Sequence, residues 1–296
     1  MRKALFVATL VVVSALVPAS AFAWGFTGHR LIMRRAIELL PAELKPFFTE
    51  HRDEIVVRSI DPDLWRNVGW EDDPNHFMDF GAREFGEFPF QALPREYGAA
   101  LEKFGMVTLK RNGMLPWRAT EIFGNLRRGF EGFTRGSGFA ANDVVLFAPV
   151  LCHYIQDAHQ PLHATINYNG QLTGNEGIHS RFESDLIERF ESRLHIVPAA
   201  PTPVSNPRDF AFDALLASYQ LVDQILKADT AAAAGKEVYD DDYFEKLFVS
   251  VRPILEKRLS ESITASAGII IGAWEAAGKP ALKSEGARTP QKVRRP

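Results

Sequence analysis

A single cysteine, Cys152, stands in 296 residues. No intrachain disulfide can form, so core packing or bound metal has to hold the chain together. Charge of one sign is also missing. The 34 Lys and Arg against 37 Asp and Glu give a formal net charge of -3, which provides no broad basic surface for electrostatic capture of nucleic acid. Convincing period-two alternation is absent, which argues against a sheet. The one apolar run at the start, "ALFVATLVVVSALV" after the basic "MRK", is too short for a spanning helix. Ala21-Phe22-Ala23 follows it with the small-x-small pattern, so residues 1–23 read as a cleaved secretory signal peptide. The mature chain would then begin at Trp24 and be secreted or periplasmic. It keeps about 273 residues, and loss of Arg2 and Lys3 takes the net charge to -5.

What is present is helical periodicity. In "HRLIMRRAIELLP" the apolar positions Leu31, Ile32, Ala36, Leu39 and Leu40 recur at helical spacing, and Pro41 closes the segment. Further helices are expected over 95–105, 116–131, 141–159, 178–193, 208–228, 241–258 and 259–277. No long linker or internal repeat divides them. The expected fold is all-α, a compact multi-helix single domain over 24–278. The basic, polar residues 279–296 are expected to form a disordered tail. Two stretches are irregular, "DPDLWRNVGWEDDPNHFMDFGAREFGEFPFQ" and "TINYNGQLTGNEG". Loops of this kind, on a rigid bundle, are where binding residues concentrate.

The chemistry gathers in "LCHYIQDAHQPLHA". His153 and Asp157 are four apart, so on a helix both project from one face at the spacing a shared metal needs. His159 is two further on and points elsewhere. Pro161 ends the helix, and His163 lies just beyond. A second i, i+4 pair, His179 and Glu183, stands in "GIHSRFESD". A lone histidine on an apolar helix is ordinarily a hydrogen-bonded core residue, and an isolated His/Glu pair can be a surface ion pair. Both pairs, His163 between them and acidic and imidazole groups upstream occur in one chain read as exported. Mixtures of imidazole and carboxylate suit zinc, and neighbouring zinc ions suit phosphate ester hydrolysis.

On these residues the sequence resembles the superfamily of zinc-dependent phospholipases C and single-strand-specific zinc nucleases, and it stands closer to the phospholipase branch. That resemblance implies an all-α exported phosphodiesterase with three zinc ions and a mature N-terminal tryptophan whose amine and carbonyl oxygen bind metal. By it, Trp24 and His29 in "WGFTGH" serve the first zinc, and Asp157 bridges to the second. His76 in "NHFMDF" and His153 serve that second zinc, with an Asp about a dozen residues before His76. His163, His179 and Glu183 serve the third. The upstream Asp is Asp61 or Asp63. Asp61 before Pro62 has the pattern of a helix N-cap, which leaves Asp63 as the preferred ligand and general base. Asp73 and Asp79 are lesser candidates.

The activity implied is hydrolysis of phospholipid head groups by a metal-activated water. The alternative is a single-strand-specific nuclease or 3'-nucleotidase, and a third reading is a non-catalytic secreted protein stabilised by zinc. The partner is accordingly a phospholipid membrane surface or single-stranded nucleic acid, and no stable protein partner is implied. Glu183 and the lack of disulfides look like the phospholipase branch. The short Trp24 to His29 spacing looks like the nuclease branch, and Leu64 stands after Asp63 where an aromatic residue would be expected. Trp65 and Trp70 with Glu71, Asp72 and Asp73 have the composition of a cage for a quaternary ammonium. Phe77 could instead stack a nucleobase.

Overall fold

A computed structural model describes residues 24–283; residues 1–23, expected as a signal peptide, and residues 284–296 lie outside the described residues. Within them the chain is helical, with no strand. The helices are α1 (Gly25–Glu38), α2 (Lys45–Glu50), α3 (Arg52–Arg58), α4 (Asp61–Asn67), α5 (Tyr97–Asn112), α6 (Leu115–Thr134), α7 (Ala140–Ala158), α8 (Ile178–Ser180), α9 (Leu186–Phe190), α10 (Pro207–Tyr219), α11 (Val222–Ala233) and α12 (Asp241–Ala276). A π turn, Arg181–Asp185, joins α8 to α9. No described helix is long and apolar enough to cross a membrane.

The centre of the bundle is α7. Val144, Val145, Ala148, Val150, Leu151, Cys152, Tyr154, Ile155 and Ala158 are buried along it, so it is apolar nearly all round, as a helix enclosed by others must be. It forms a hairpin with α6, and α12, α3, α10 and α1 pack around it. The backbones of the hairpin approach closely because Gly132 leaves room for Ala140. Into this apolar helix the sequence sets three buried polar residues within about one turn, His153, Gln156 and Asp157. They are the reason the site lies inside the bundle rather than on it.

Three expectations change. The segment 208–228 is two helices, because the chain turns after Tyr219; Leu215 on α10 and Ile225 on α11 are each buried. The two helices expected over 241–277 are one, α12. Its Pro253 removes a single backbone bond, to the carbonyl of Val249, whose residue is 62% exposed and open to water. The start of the expected tail is docked: Trp274 Nε1 donates to the Pro280 carbonyl at 2.9 Å, and Leu282 packs on the core. Short helices α2, α3 and α4 have six or seven residues each, too few for a hydrophobic period to stand out.

Residues 194–206 form an extended strap across α12. The N–H groups of His195, Val197 and Ala199 donate to Glu256, Ser260 and Thr264 at 2.8, 3.0 and 3.0 Å. Two residues of extended chain rise about 6.6 Å and four of helix about 6 Å, so alternate strap residues meet every fourth helix residue. Where the strap crosses, a Cβ on Gly272 would overlap the Val204 carbonyl. Glycine is required there by the approach of two backbones.

Candidate metal centre

Three groups of buried side chains converge: His29, His153 and Asp157; Asp63, His76 and His153; His163, His179 and Glu183. The chain thus brings together every side chain expected to hold metal. Asp157 lies between the first two groups. Its Oδ1 is 3.4 Å from His29 Nε2, while its Oδ2 is 3.0 Å from His76 Nδ1 and 3.3 Å from His153 Nε2. One carboxylate therefore faces two groups with different oxygens. His153 reaches both groups, and its ring stacks on His29 at 4.1 Å.

Each imidazole is oriented from behind. His29 Nδ1 lies 2.5 Å from Gln156 Oε1, His153 Nδ1 2.8 Å from the Ser59 carbonyl, His163 Nδ1 2.6 Å from the His76 carbonyl and His179 Nδ1 3.1 Å from the Tyr168 carbonyl. An acceptor at Nδ1 puts the proton there and leaves the Nε2 lone pair facing the cluster. His76 is reversed: Nε2 meets Asp72 Oδ2 at 3.1 Å, so Nδ1 is the free nitrogen. In consequence lone pairs face one another, His163 Nε2 against His179 Nε2 at 3.1 Å and His153 Nε2 against His76 Nδ1 at 3.1 Å. Two nitrogens bound to one tetrahedral zinc would stand about 3.3 Å apart.

The unsatisfied atoms tell the same story. His29 Nε2, both oxygens of Asp63, Asp157 Oδ1 and Glu183 Oε1 are buried without a hydrogen-bond partner. A buried polar atom left so costs about 1–3 kcal/mol, and more when charged. Their convergence fits a cation, and imidazole with carboxylate fits zinc.

Burial and neighbouring charge pull the proton affinities of these groups in opposite directions. Burial lowers the proton affinity of His29, His76 and His179, but neighbouring carboxylates overturn it and leave all three raised above the ordinary histidine value. Burial holds His163 well below that value. Burial raises Asp157, yet His153, His29 and His76 together keep it well below the carboxylate range. Burial raises Glu183 against the pull of His179. Asp79 is likewise pushed up by burial, to about 8, with His179 opposing.

Position separates the two upstream carboxylates, and the capping argument is not the reason. Ile60 occupies the N-cap of α4, and Asp61 sits in the first turn, paired with Arg58 at 3.4 Å. Asp63 is fully buried, with Oδ1 3.8 Å from both His76 and His153 and Oδ2 4.0 Å from His29. Trp24 is also fully buried beside the first group, and its Nε1 donates at 2.7 Å to the carbonyl of Gln156. Gln156 therefore holds Trp24 and His29 at once. It stands in the quoted motif next to Asp157, and a lone amide on an apolar helix was the signal available.

The expected cage does not assemble. Asp72 turns inward to His76 and accepts from Tyr154 Oη at 2.8 Å; burial opposes its ionisation, but His76, Asn75 and Tyr154 bring it down to about 2. Glu71 is held by Lys110 and Asp73 by Arg66. All three carboxylates already have partners, while Trp65 and Trp70 pack on each other at 5.6 Å. Arg66 also comes within 3.7 Å of Asp63 Oδ1, a positive charge at the edge of the second group.

Two members of the third group, His179 and Glu183, ride on α8 and the π turn, and a buried network fixes that segment. The Arg181 guanidinium meets Asp229 at 3.0 Å and Tyr243 Oη at 2.7 Å, and lies 4.0 Å from the Tyr239 ring centroid. His159 points away from the metal groups, as its spacing predicts. Burial, then the charges of Arg258 and Lys257, lower it to about 3, so it is neutral. Comparison with protein-family models gives no match, and comparison with curated proteins gives none either.

Proposed function

We propose that this chain is an exported zinc-dependent phosphodiesterase, most like the phospholipases C, with three zinc ions held by the groups around Asp157 and Glu183. One observation carries the reading: eight buried imidazole and carboxylate side chains converge in three groups, and His29, Asp63, Asp157 and Glu183 among them keep buried atoms without a hydrogen-bond partner. The donors of the first point would be Trp24, His29 and Asp157; of the second, Asp63, His76, His153 and Asp157; of the third, His163, His179 and Glu183. When bound, zinc supplies Lewis acidity and brings the ionisation of water towards neutral pH. A third group with only three side chains leaves a position open, which supports catalysis over a purely structural role.

The chain's own residues do the rest. Asp63 turns its two oxygens in different directions, so one can hold metal while Oδ2, on the His29 side, orients a water and takes its proton. Arg66, next to it, offers a guanidinium to phosphate oxygens and to the charge that grows on them. The Nδ1 acceptors lock the imidazoles, so little reorganisation accompanies the reaction.

The nuclease reading is favoured by one feature. Tyr168 is 44% exposed, and its ring centroid lies 6.2 Å from that of His179, a π face beside the third group. The test is a product assay of the chain beginning at Trp24, zinc-loaded or chelated, on a small chromogenic phosphodiester, phosphatidylcholine vesicles and a single-stranded oligonucleotide. Chelator-sensitive diacylglycerol release is the expected result. Nucleotide release instead selects the nuclease. Tight zinc with no hydrolysis of any of the three would overturn the catalytic reading.

A further inference from the structure

On the face of the bundle served by His159, away from the metal groups, an open cavity of about 830 Å³ lies between the strap 194–206, α10 and α12. Its size is that of a ligand site. Val197, Val204, Phe210 and Pro253 give it apolar walls. The charged groups around it are already engaged. The Arg258 guanidinium donates to the carbonyls of His159 and Ala214, to Ser218 Oγ and to Glu261. Glu261 also takes Lys257 at 3.3 Å, and Glu256 takes the His195 N–H at 2.8 Å.

One buried polar atom is left over, while His195, Thr202 and Lys257 stand at the exposed rim. His159 is only 4% exposed and lines this cavity. Its Nδ1 donates to the Ile155 carbonyl at 2.7 Å, and no hydrogen bond reaches Nε2 among the described residues. In the neutral ring that nitrogen is an acceptor. Nor is it among the sealed, unsatisfied atoms of the interior, so it opens to the cavity. A buried acceptor against apolar walls selects for a donor. A cation is repelled by the nearby Arg258 and Lys257, and an anion finds no free donor at His159.

We propose that this cavity binds a neutral, largely apolar alcohol, whose chain lies along Val197, Phe210 and Pro253 and whose hydroxyl donates to His159 Nε2. The site is independent of the metal groups and of the phosphodiesterase reading. If that reading holds, the diacylglycerol it releases belongs to this class of molecule.

The test uses the full mature chain and two probes, 1-decanol and its methyl ether, which has the same chain without the donor. Binding is followed by calorimetry and by the ¹⁵N shift of His159 Nε2. The expected result is saturable binding of decanol, about fivefold weaker binding of the ether, and a decanol-induced shift at Nε2. In His159→Phe the two probes should bind equally. Val197→Arg, at an exposed position on the rim, should abolish both without touching the bundle. Absence of saturable decanol binding overturns the site. Equal affinity of alcohol and ether for the unaltered chain overturns the role of His159, as does binding that Val197→Arg leaves unchanged for this cavity.

Discussion

His163 and His179 turn their Nε2 atoms to each other at 3.1 Å, and each gives its Nδ1 to a backbone carbonyl. With both protons committed behind, the two lone pairs repel unless a cation lies between them. Zinc added to the metal-free protein should therefore raise Tm by well over 5 °C, and a chelator should reverse it. Differential scanning fluorimetry checks this; no shift with saturating zinc would contradict the metal reading.

Asp61→Asn and Asp63→Asn should part company. Asp61 sits on Arg58, whereas Asp63 is buried among the imidazoles. The first substitution should leave zinc stoichiometry and activity within twofold of the original. The second should lose one zinc or weaken it at least tenfold, and lower kcat by about 10² or more. Elemental analysis after dialysis, with steady-state rates, separates them.

Asp72 fixes His76 in the tautomer opposite to that of the other four imidazoles, through the Nε2 contact at 3.1 Å. Asp72→Asn can keep Tyr154 and Asn75 as neighbours but weakens that hold. Zinc affinity at the second group should fall about 10- to 100-fold, with Tm of the metal-free protein little changed. A competition titration with a chromogenic chelator measures it.

The metals should bind more weakly in acid. In the metal-free fold His29, His76 and His179 keep their protons to higher pH than an unfolded chain would. The stability those protons give is complete below about pH 6.5 and is lost as pH rises through the raised values. Zinc needs the same nitrogens bare, so its stabilisation should grow across that window. A zinc-induced Tm shift that is equal at pH 5.5 and pH 8 would count against these ligands.

Gly272→Ala tests the strap. A Cβ there would overlap the Val204 carbonyl, which is backbone and cannot move aside cheaply. The expected cost is about 3 kcal/mol, read from urea unfolding. Gly235→Ala, where a Cβ meets nothing but φ is +73°, should cost about 1 kcal/mol from backbone strain alone.

The sequence by itself determined the class of fold and the side chains that gather in the three groups. A 3.6-residue period needs no distant partner, so α1, α6 and α7 were legible from local pattern. The i, i+4 pairs His153/Asp157 and His179/Glu183 were legible for the same reason. Where local pattern ran out, tertiary structure decided. The division expected at 258/259 is absent, because α12 runs unbroken from Asp241 to Ala276 and buries residues along its whole length. Asp61 reads as the N-cap before Pro62, but Ile60 takes that place and Arg58 takes its carboxylate. Asp72 reads as part of a surface cage, yet Tyr154 on α7, 82 residues away, draws it inward. Orientation of the imidazoles was also beyond the sequence. It rests on carbonyls of Ser59, His76 and Tyr168, and a backbone carbonyl carries no residue-specific mark until folding brings it to a ring.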